Sequence, residues 1–313
     1  MISIPNFCTN CGNPLQPSWK VCPICGKSIY VPVSPITTTE ISSRSTSSTA
    51  EPSVSMKKEQ KHITKKKIKI IVIAACIIVA AVVIPITVFF TTNCYRTINY
   101  YVSHGQITKS YTCIFPRSTY NYYANQPHPR HDYVYYDWDD VALTFASYCT
   151  PDESEILKIA QEIKSQCINQ SNDEEIINAL LSFAQGITYK SDPLTVDRAK
   201  YPLETLMDKG DCEDLSIFFG SIVESLGYEA VILCVIVDDP LEGPFGHACV
   251  GVHLNFTPSH HVDYPIPGSY FFDAAEDSNQ YWLCETTDQG WMVGQLPASD
   301  PSDFSIVSYA FVN

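Results

Sequence analysis

The sequence predicts an α+β domain in its C-terminal half, and three observations predict it. Amphipathic helical runs come first, apolar strand-like runs come after, and a helix with a cysteine in its first turn joins the two sets. That joining stretch, Gly210 to Gly227, organises the rest. Gly210 lets the chain turn in tightly, Asp211 is a good N-cap, and Glu213 and Asp214 suit the first turn. Leu215, Phe218, Phe219, Ile222, Val223 and Leu226 recur at three-to-four spacing and form one apolar face, and Gly227 supplies the stop. The sulfur of Cys212 is thereby placed at the positive end of a buried helix, which favours a thiolate, while the flanking carboxylates oppose one.

Charge divides the 313 residues sharply: residues 1–90 carry a balance of +7 and residues 91–313 one of −21. So acidic an outer part would repel phosphate, and no nucleic-acid partner is expected for it.

In chain order, Cys8-Thr-Asn-Cys11 and Cys22-Pro-Ile-Cys25 come first, with ten residues between them. Cys8, Cys11, Cys22 and Cys25 are four soft thiolates in tetrahedral reach of one structural Zn2+ ion, and each knuckle is too short for a relaxed disulfide. Residues 1–30 therefore resemble a short zinc ribbon, more often a docking element than a nucleic-acid reader. Residues 31–67 form a disordered linker, Ser/Thr/Pro-rich at first and then basic, with Lys57, Lys58, Lys61 and Lys65 to Lys67. Residues 68–90 follow as a transmembrane helix. Within it Ile70 to Phe90 is 21 residues without a charge, ~31 Å as a helix and enough to span the hydrocarbon core. It lies too far along to be a cleaved signal and is expected to be a single-pass anchor that Pro85 can kink. The lysines before it put the N-terminus in the cytoplasm and the C-terminal domain outside, where disulfides can form. A cytoplasmic protein partner for the ribbon fits that layout.

Residues 91–149 read as lead-in strands or a stalk, with a strand-like alternation from Val134 to Phe145. Asp137, Asp139 and Asp140 lack the spacing of a calcium loop and read as a solvated acidic edge. From 150 to 313 the signals sharpen. Thr150-Pro-Asp-Glu153 and Ser171-Asn-Asp-Glu174 read as capping boxes opening two helices, and a helical turn over Pro202–Met207 leads into Gly210. Tyr228–Val237 reads as a central strand and Ala248–Leu254 as a second, after a loop through Pro240 and Gly246. Tyr270–Ala274 and Tyr281–Thr286 make a hairpin.

Among eight histidines, His62 lies before the membrane segment, His104, His128 and His131 in the lead-in, and His260 and His261 in a loop. His247 and His253 share a strand face but stand ~20 Å apart, so only one can serve Cys212. His247, at the mouth of the strand, is the candidate; a strand-end histidine with no role is the alternative. Buried cysteines are usually inert packing, and Cys234 and Cys249 read that way. Besides Cys212 the outer part has seven cysteines, from which no pairing can be deduced.

Tyr201-Pro-Leu-Glu-Thr-Leu206, Gly210-Asp-Cys-Glu-Asp-Leu-Ser216, Leu226-Gly-Tyr228, Gly246-His247 and Tyr281-Trp-Leu-Cys-Glu-Thr-Thr287 together resemble the transglutaminase-like superfamily of papain-type cysteine enzymes, in its prokaryotic membrane-anchored branch. The resemblance covers about residues 150–297. It implies a nucleophile helix packed on an antiparallel sheet, with Cys212 as nucleophile and His247 as base. Where the family usually has Asp, Glu285 stands here as the third member; Asp273 on the partner strand is the runner-up. The implied activity is that of a cysteine hydrolase, a protease or amidase, or a transamidase, acting on extracytoplasmic protein or peptide amides. The alternative is a non-catalytic peptide- or glycopeptide-binding surface domain coupled to the ribbon.

Overall fold

The computed structural model describes residues 65–103, 105–128, 137–192, 198–239, 243–259, 271–295 and 304–313. The zinc ribbon, most of the linker and His104, His131, His260 and His261 lie outside the described residues. Helix α1 (Lys65–Thr92) is the apolar segment, with Pro85 inside it. Its stretch Ile70–Thr92 is long and apolar enough to cross a membrane. It runs directly into strand β1 (Asn93–Val102), which pairs antiparallel with β2 (Ile107–Pro116). Arg117 closes the junction by donating to the carbonyls of Thr91 and Asn93 at 3.2 and 3.1 Å.

After this hairpin come α2 (Arg117–Ala124), α3 (Trp138–Tyr148), α4 (Ser154–Ser165), α5 (Asp173–Gln185), α6 (Pro202–Asp208) and α7 (Cys212–Glu224). A second group of strands follows: β3 (Ala230–Asp239), β4 (Gly243–His253), β5 (Phe271–Asp273), β6 (Gln280–Cys284) and β7 (Phe304–Phe311). These five form one antiparallel sheet in the order β5-β6-β4-β3-β7. The architecture is a mixed α+β one, with helices preceding the sheet as the residue patterns predict.

The sheet curls until its outer strands meet. Phe272 of β5 and Tyr309 of β7 bring their rings to 4.5 Å, and the Tyr309 hydroxyl accepts the Ala275 N–H at 3.3 Å. Val231, Leu233, Val235, Cys249, Tyr281 and Leu283 fill the curl. On the other face, Ile232, Cys234, Ala248, Val250 and Cys284 join the main core with α7. Both faces of β3 are thus covered, which is why its sequence is a continuous apolar run rather than an alternation. On α7 the side chains of Leu215, Phe218, Phe219, Ile222 and Val223 are fully buried, each worth about 1.5–3 kcal/mol of transfer free energy. Gly227 ends the turn after α7 with φ +85°, a left-handed conformation that glycine adopts without a steric cost.

Several local expectations are corrected. The described part of Val134–Phe145 is not a strand: from Trp138 it is helix α3, with the Asp137 side chain accepting the Asp139 N–H as its cap. Asp137, Asp139 and Asp140 are all exposed, as a solvated acidic edge requires, and Ser308 of β7 donates to Asp139 at 2.5 Å. Helix α4 begins at Ser154, capped by Glu153, and the Thr150 N–H that a capping box would offer to Glu153 is taken by Ser221 of α7 at 3.0 Å. Asn172 rather than Ser171 caps α5, its amide oxygen accepting from Glu175. Glu174 instead accepts from the backbone and hydroxyl of Ser259. Strand β7 has no counterpart in the reading from sequence. The lead-in also belongs to the packing: Cys94, Ile98, Tyr100, Phe145 and Tyr148 share the main core with α5 and α7.

Candidate active site

The site is built where α7 begins. Gly210 is required by close approach, since a Cβ there would lie 2.4 Å from the Asp214 Cβ. Asp211 stands at the cap position, yet its side chain makes no cap bond; its Oδ2 accepts the Asp192 N–H at 2.9 Å. Asp214 is fully buried and accepts from the Lys200 backbone at 2.7 Å and from the Lys200 ammonium. That ammonium also lies 3.5 Å from Asp192. Burial pushes the Asp214 carboxyl up while Lys200 opposes it. For Lys200 the carboxylates outweigh burial and raise the ammonium to about 12. Two carboxylates of the motif are thus structural, pinning Asp192 and Lys200 to the front of α7. From the other side Arg96 donates to the Met207 carbonyl at 2.9 Å and Tyr120 to Asp208 at 2.6 Å, so the β1–β2 hairpin and α2 brace the turn before Cys212.

Cys212 is half-buried. Burial pushes its thiol well above the ordinary value, Glu213 and Asp211 push further, and the Ala248 N–H directed at the sulfur works against them. The thiolate preference expected at a helix start does not prevail over desolvation and two adjacent carboxylates. The thiol donates to Glu213 Oε2 at 3.4 Å.

The Ala248 contact places the sulfur beside the residue that follows His247 in β4. His247, with a side chain 13% exposed, holds Glu285 through Nε2 at 2.9 Å. Glu285 lies one residue past β6, and its other oxygen accepts the Thr287 N–H and hydroxyl at 2.7 and 2.6 Å. Burial alone would raise the Glu285 carboxyl, but His247 and Thr287 outweigh it and hold it below the usual carboxylate range. Asp273, the runner-up, is exposed at the end of β5, across from Gln280. His253 is turned to Gln280 and Asn255 instead, and His128 sits in the core beside Glu204.

Two supports were not foreseen from the sequence. The Ser216 hydroxyl donates to the Ala248 carbonyl at 3.1 Å and meets the Thr286 hydroxyl at 3.3 Å. It thereby ties α7 to the neighbours of His247 and Glu285. The only signal was its position four residues after Cys212, on the same helix face. Gln185 of α5 donates to the carbonyls of Glu285 and Trp291 at 2.8 and 3.0 Å and accepts from Gly290, holding the turn that carries the acid. The eight cysteines of residues 91–313 are all free thiols, so no disulfide forms among them. Cys234 and Cys249 are buried packing, their thiols pushed up by burial.

A family model for a zinc-ribbon domain matches residues 7–29, so the N-terminus carries a zinc-ribbon domain. No curated protein matches the chain. Among solved structures, the chain is similar to one from Cytophaga hutchinsonii described as a "putative cysteine protease". It shares 14% identity at a TM-score of 0.32, over 71% of this chain and 76% of that one.

Proposed function

We propose that the chain is a membrane-anchored, transglutaminase-like cysteine hydrolase acting on amides of extracytoplasmic proteins or peptides through Cys212, His247 and Glu285. The observation that carries the reading is the His247–Glu285 pair at 2.9 Å, with His247 on β4, Glu285 just past the neighbouring β6, and the N–H of Ala248, the residue after His247, directed at the Cys212 sulfur. With Nε2 committed to Glu285, Nδ1 is the nitrogen that serves the sulfur. As the substrate carbonyl arrives, the S–H bond breaks and the proton passes to Nδ1. The sulfur pair then forms the S–C bond, and the carbonyl pair moves to oxygen. The Cys212 N–H at the start of α7 is one donor for that oxyanion. Collapse to the thioester breaks the C–N bond, and the imidazolium returns its proton to the leaving amine. Water then releases the acid, or an amine takes the acyl group. Glu285 keeps the ring oriented and stabilises its charged form.

Cys8, Cys11, Cys22 and Cys25 would hold one zinc ion, whose chemistry is structural, and the reaction draws nothing from it. The apolar stretch Ile70–Thr92 would anchor the chain, with the acidic domain outside and the ribbon facing a cytoplasmic partner. A second reading, a non-catalytic peptide-binding domain, is favoured by the burial of the Cys212 sulfur and by Glu213 and Asp211 beside it, all of which oppose a thiolate. Mixing the full chain with p-nitrophenyl acetate decides between them. A burst of p-nitrophenol with one acetyl group on Cys212, lost in Cys212→Ala, is expected. A protein that stays unmodified at Cys212 would favour the binding reading.

A further inference from the structure

The first turn of α7 holds a carboxylate for which the reaction above has no use. Glu213 is 5% exposed, and its Oε2 accepts the thiol of the neighbouring nucleophile at 3.4 Å. The thiol proton is therefore directed at a carboxylate of its own helix. The imidazole that must receive it is held on another element, β4, by its bond to Glu285. Resting on the reading of Cys212 as nucleophile, we propose that Glu213 holds the Cys212 proton in the resting site and keeps the sulfur a neutral thiol until substrate redirects it to His247.

The charged surroundings of the sulfur come from several elements. Lys200 is engaged by Asp214 and Asp192, so its charge is spent on them. Asp211 has one oxygen bound to the Asp192 N–H. Tyr189, across the α6–α7 turn, and Cys234 of β3 both have raised proton affinities, burial being the larger cause in each, and stay neutral near pH 7. Glu285 is tied to His247 and Thr287. Glu213 is thus the carboxylate hydrogen-bonded to the sulfur itself. Its loss should act on the thiol directly, because a nearby negative charge and an acceptor of the S–H proton both favour the neutral form. The step it governs is a single proton transfer: the hydrogen bond from sulfur to Oε2 is given up, the S–H bond breaks, and an N–H bond forms on the imidazole. A substrate that brings its own donor to Oε2 would release the thiol, so acylation is coupled to occupancy of the site.

The test is the rate of iodoacetamide alkylation of the full chain, read at the Cys212 peptide by mass spectrometry across pH. Wild type should alkylate only under alkaline conditions. Glu213→Gln should move the midpoint down by about one pH unit or more, which is about tenfold faster labelling near neutrality. An unchanged midpoint in a folded Glu213→Gln protein that still forms the acetyl-enzyme overturns this inference and leaves the nucleophile assignment standing. Absence of the acetyl-enzyme overturns both. Should Glu213→Gln not fold, the S–H stretch decides, read in the infrared as wild type minus Cys212→Ala. A band displaced to low wavenumber reports a thiol donating to a carboxylate, and a band at the free-thiol position overturns the proposal.

Discussion

Replacing His247 with alanine is expected to lower kcat/KM for acyl transfer from p-nitrophenyl acetate on the order of 100-fold or more, the range typical of losing a positioned general base. The effect should be large because Cys212 cannot compensate. Burial, then Glu213, hold its thiol well above the ordinary value, so little thiolate exists at neutral pH without a base. Glu285→Ala should lower kcat with little change in KM, since this acid touches the ring and not the acyl group. The double variant should be no slower than His247→Ala alone, because Glu285 acts only through the imidazole. The pH dependence follows from the direction of the Glu285 shift. Its folded value lies below the ordinary 4.5. The stability it contributes is therefore present above the unfolded value and lost as pH falls through the folded one. Glu285→Ala should accordingly flatten the acid side of the stability curve, as thermal melts between pH 3 and 6 would record.

Asp214→Ala should destabilise the domain by about 3 kcal/mol, the lower end of what removing one member of a buried ion pair costs. Asp214 is fully buried, and the Lys200 side chain beside it is only 12% exposed. Without Asp214 the ammonium keeps only the Asp192 oxygen at 3.5 Å, and the Lys200 N–H loses its acceptor. Calorimetry should show Tm falling by about 6–12 °C for a domain of this size. Adding Lys200→Met should recover much of the loss, since no unpaired charge remains. A single variant with an unchanged Tm would show that the pair does not hold Lys200 to α7.

What was legible in the sequence was what depends on local spacing. The apolar face from Leu215 to Val223, the stop at Gly227 and the apolar run of β3 are all periodic or positional signals, and each stands in the structure. The hairpin of β5 and β6 was legible for the same reason. What failed was settled by partners far along the chain. Asp211 makes no cap bond, and its side chain is turned instead to the Asp192 N–H, nineteen residues away. The Thr150 N–H, which a capping box would offer to Glu153, is engaged by Ser221, seventy-one residues on, and Glu153 caps the helix instead. Strand β7 completes the sheet edge beside β3, but its partner lies more than sixty residues earlier, and nothing local distinguishes it from a tail. The same applies to the site. Cys212, His247 and Glu285 could be singled out from their motif. Gln185, which holds the turn carrying the acid from a hundred residues away, has no local signature at all.

The whole functional account requires the Cys212 sulfur to meet the His247 ring, and 1,3-dibromoacetone tests this directly, since its three-carbon bridge joins only groups already side by side. Treated full chain, digested and weighed, should yield the Cys212 and His247 peptides as one cross-linked species that disappears in His247→Ala. Cys212 alkylated at one end only, with His247 recovered unmodified, would contradict the account.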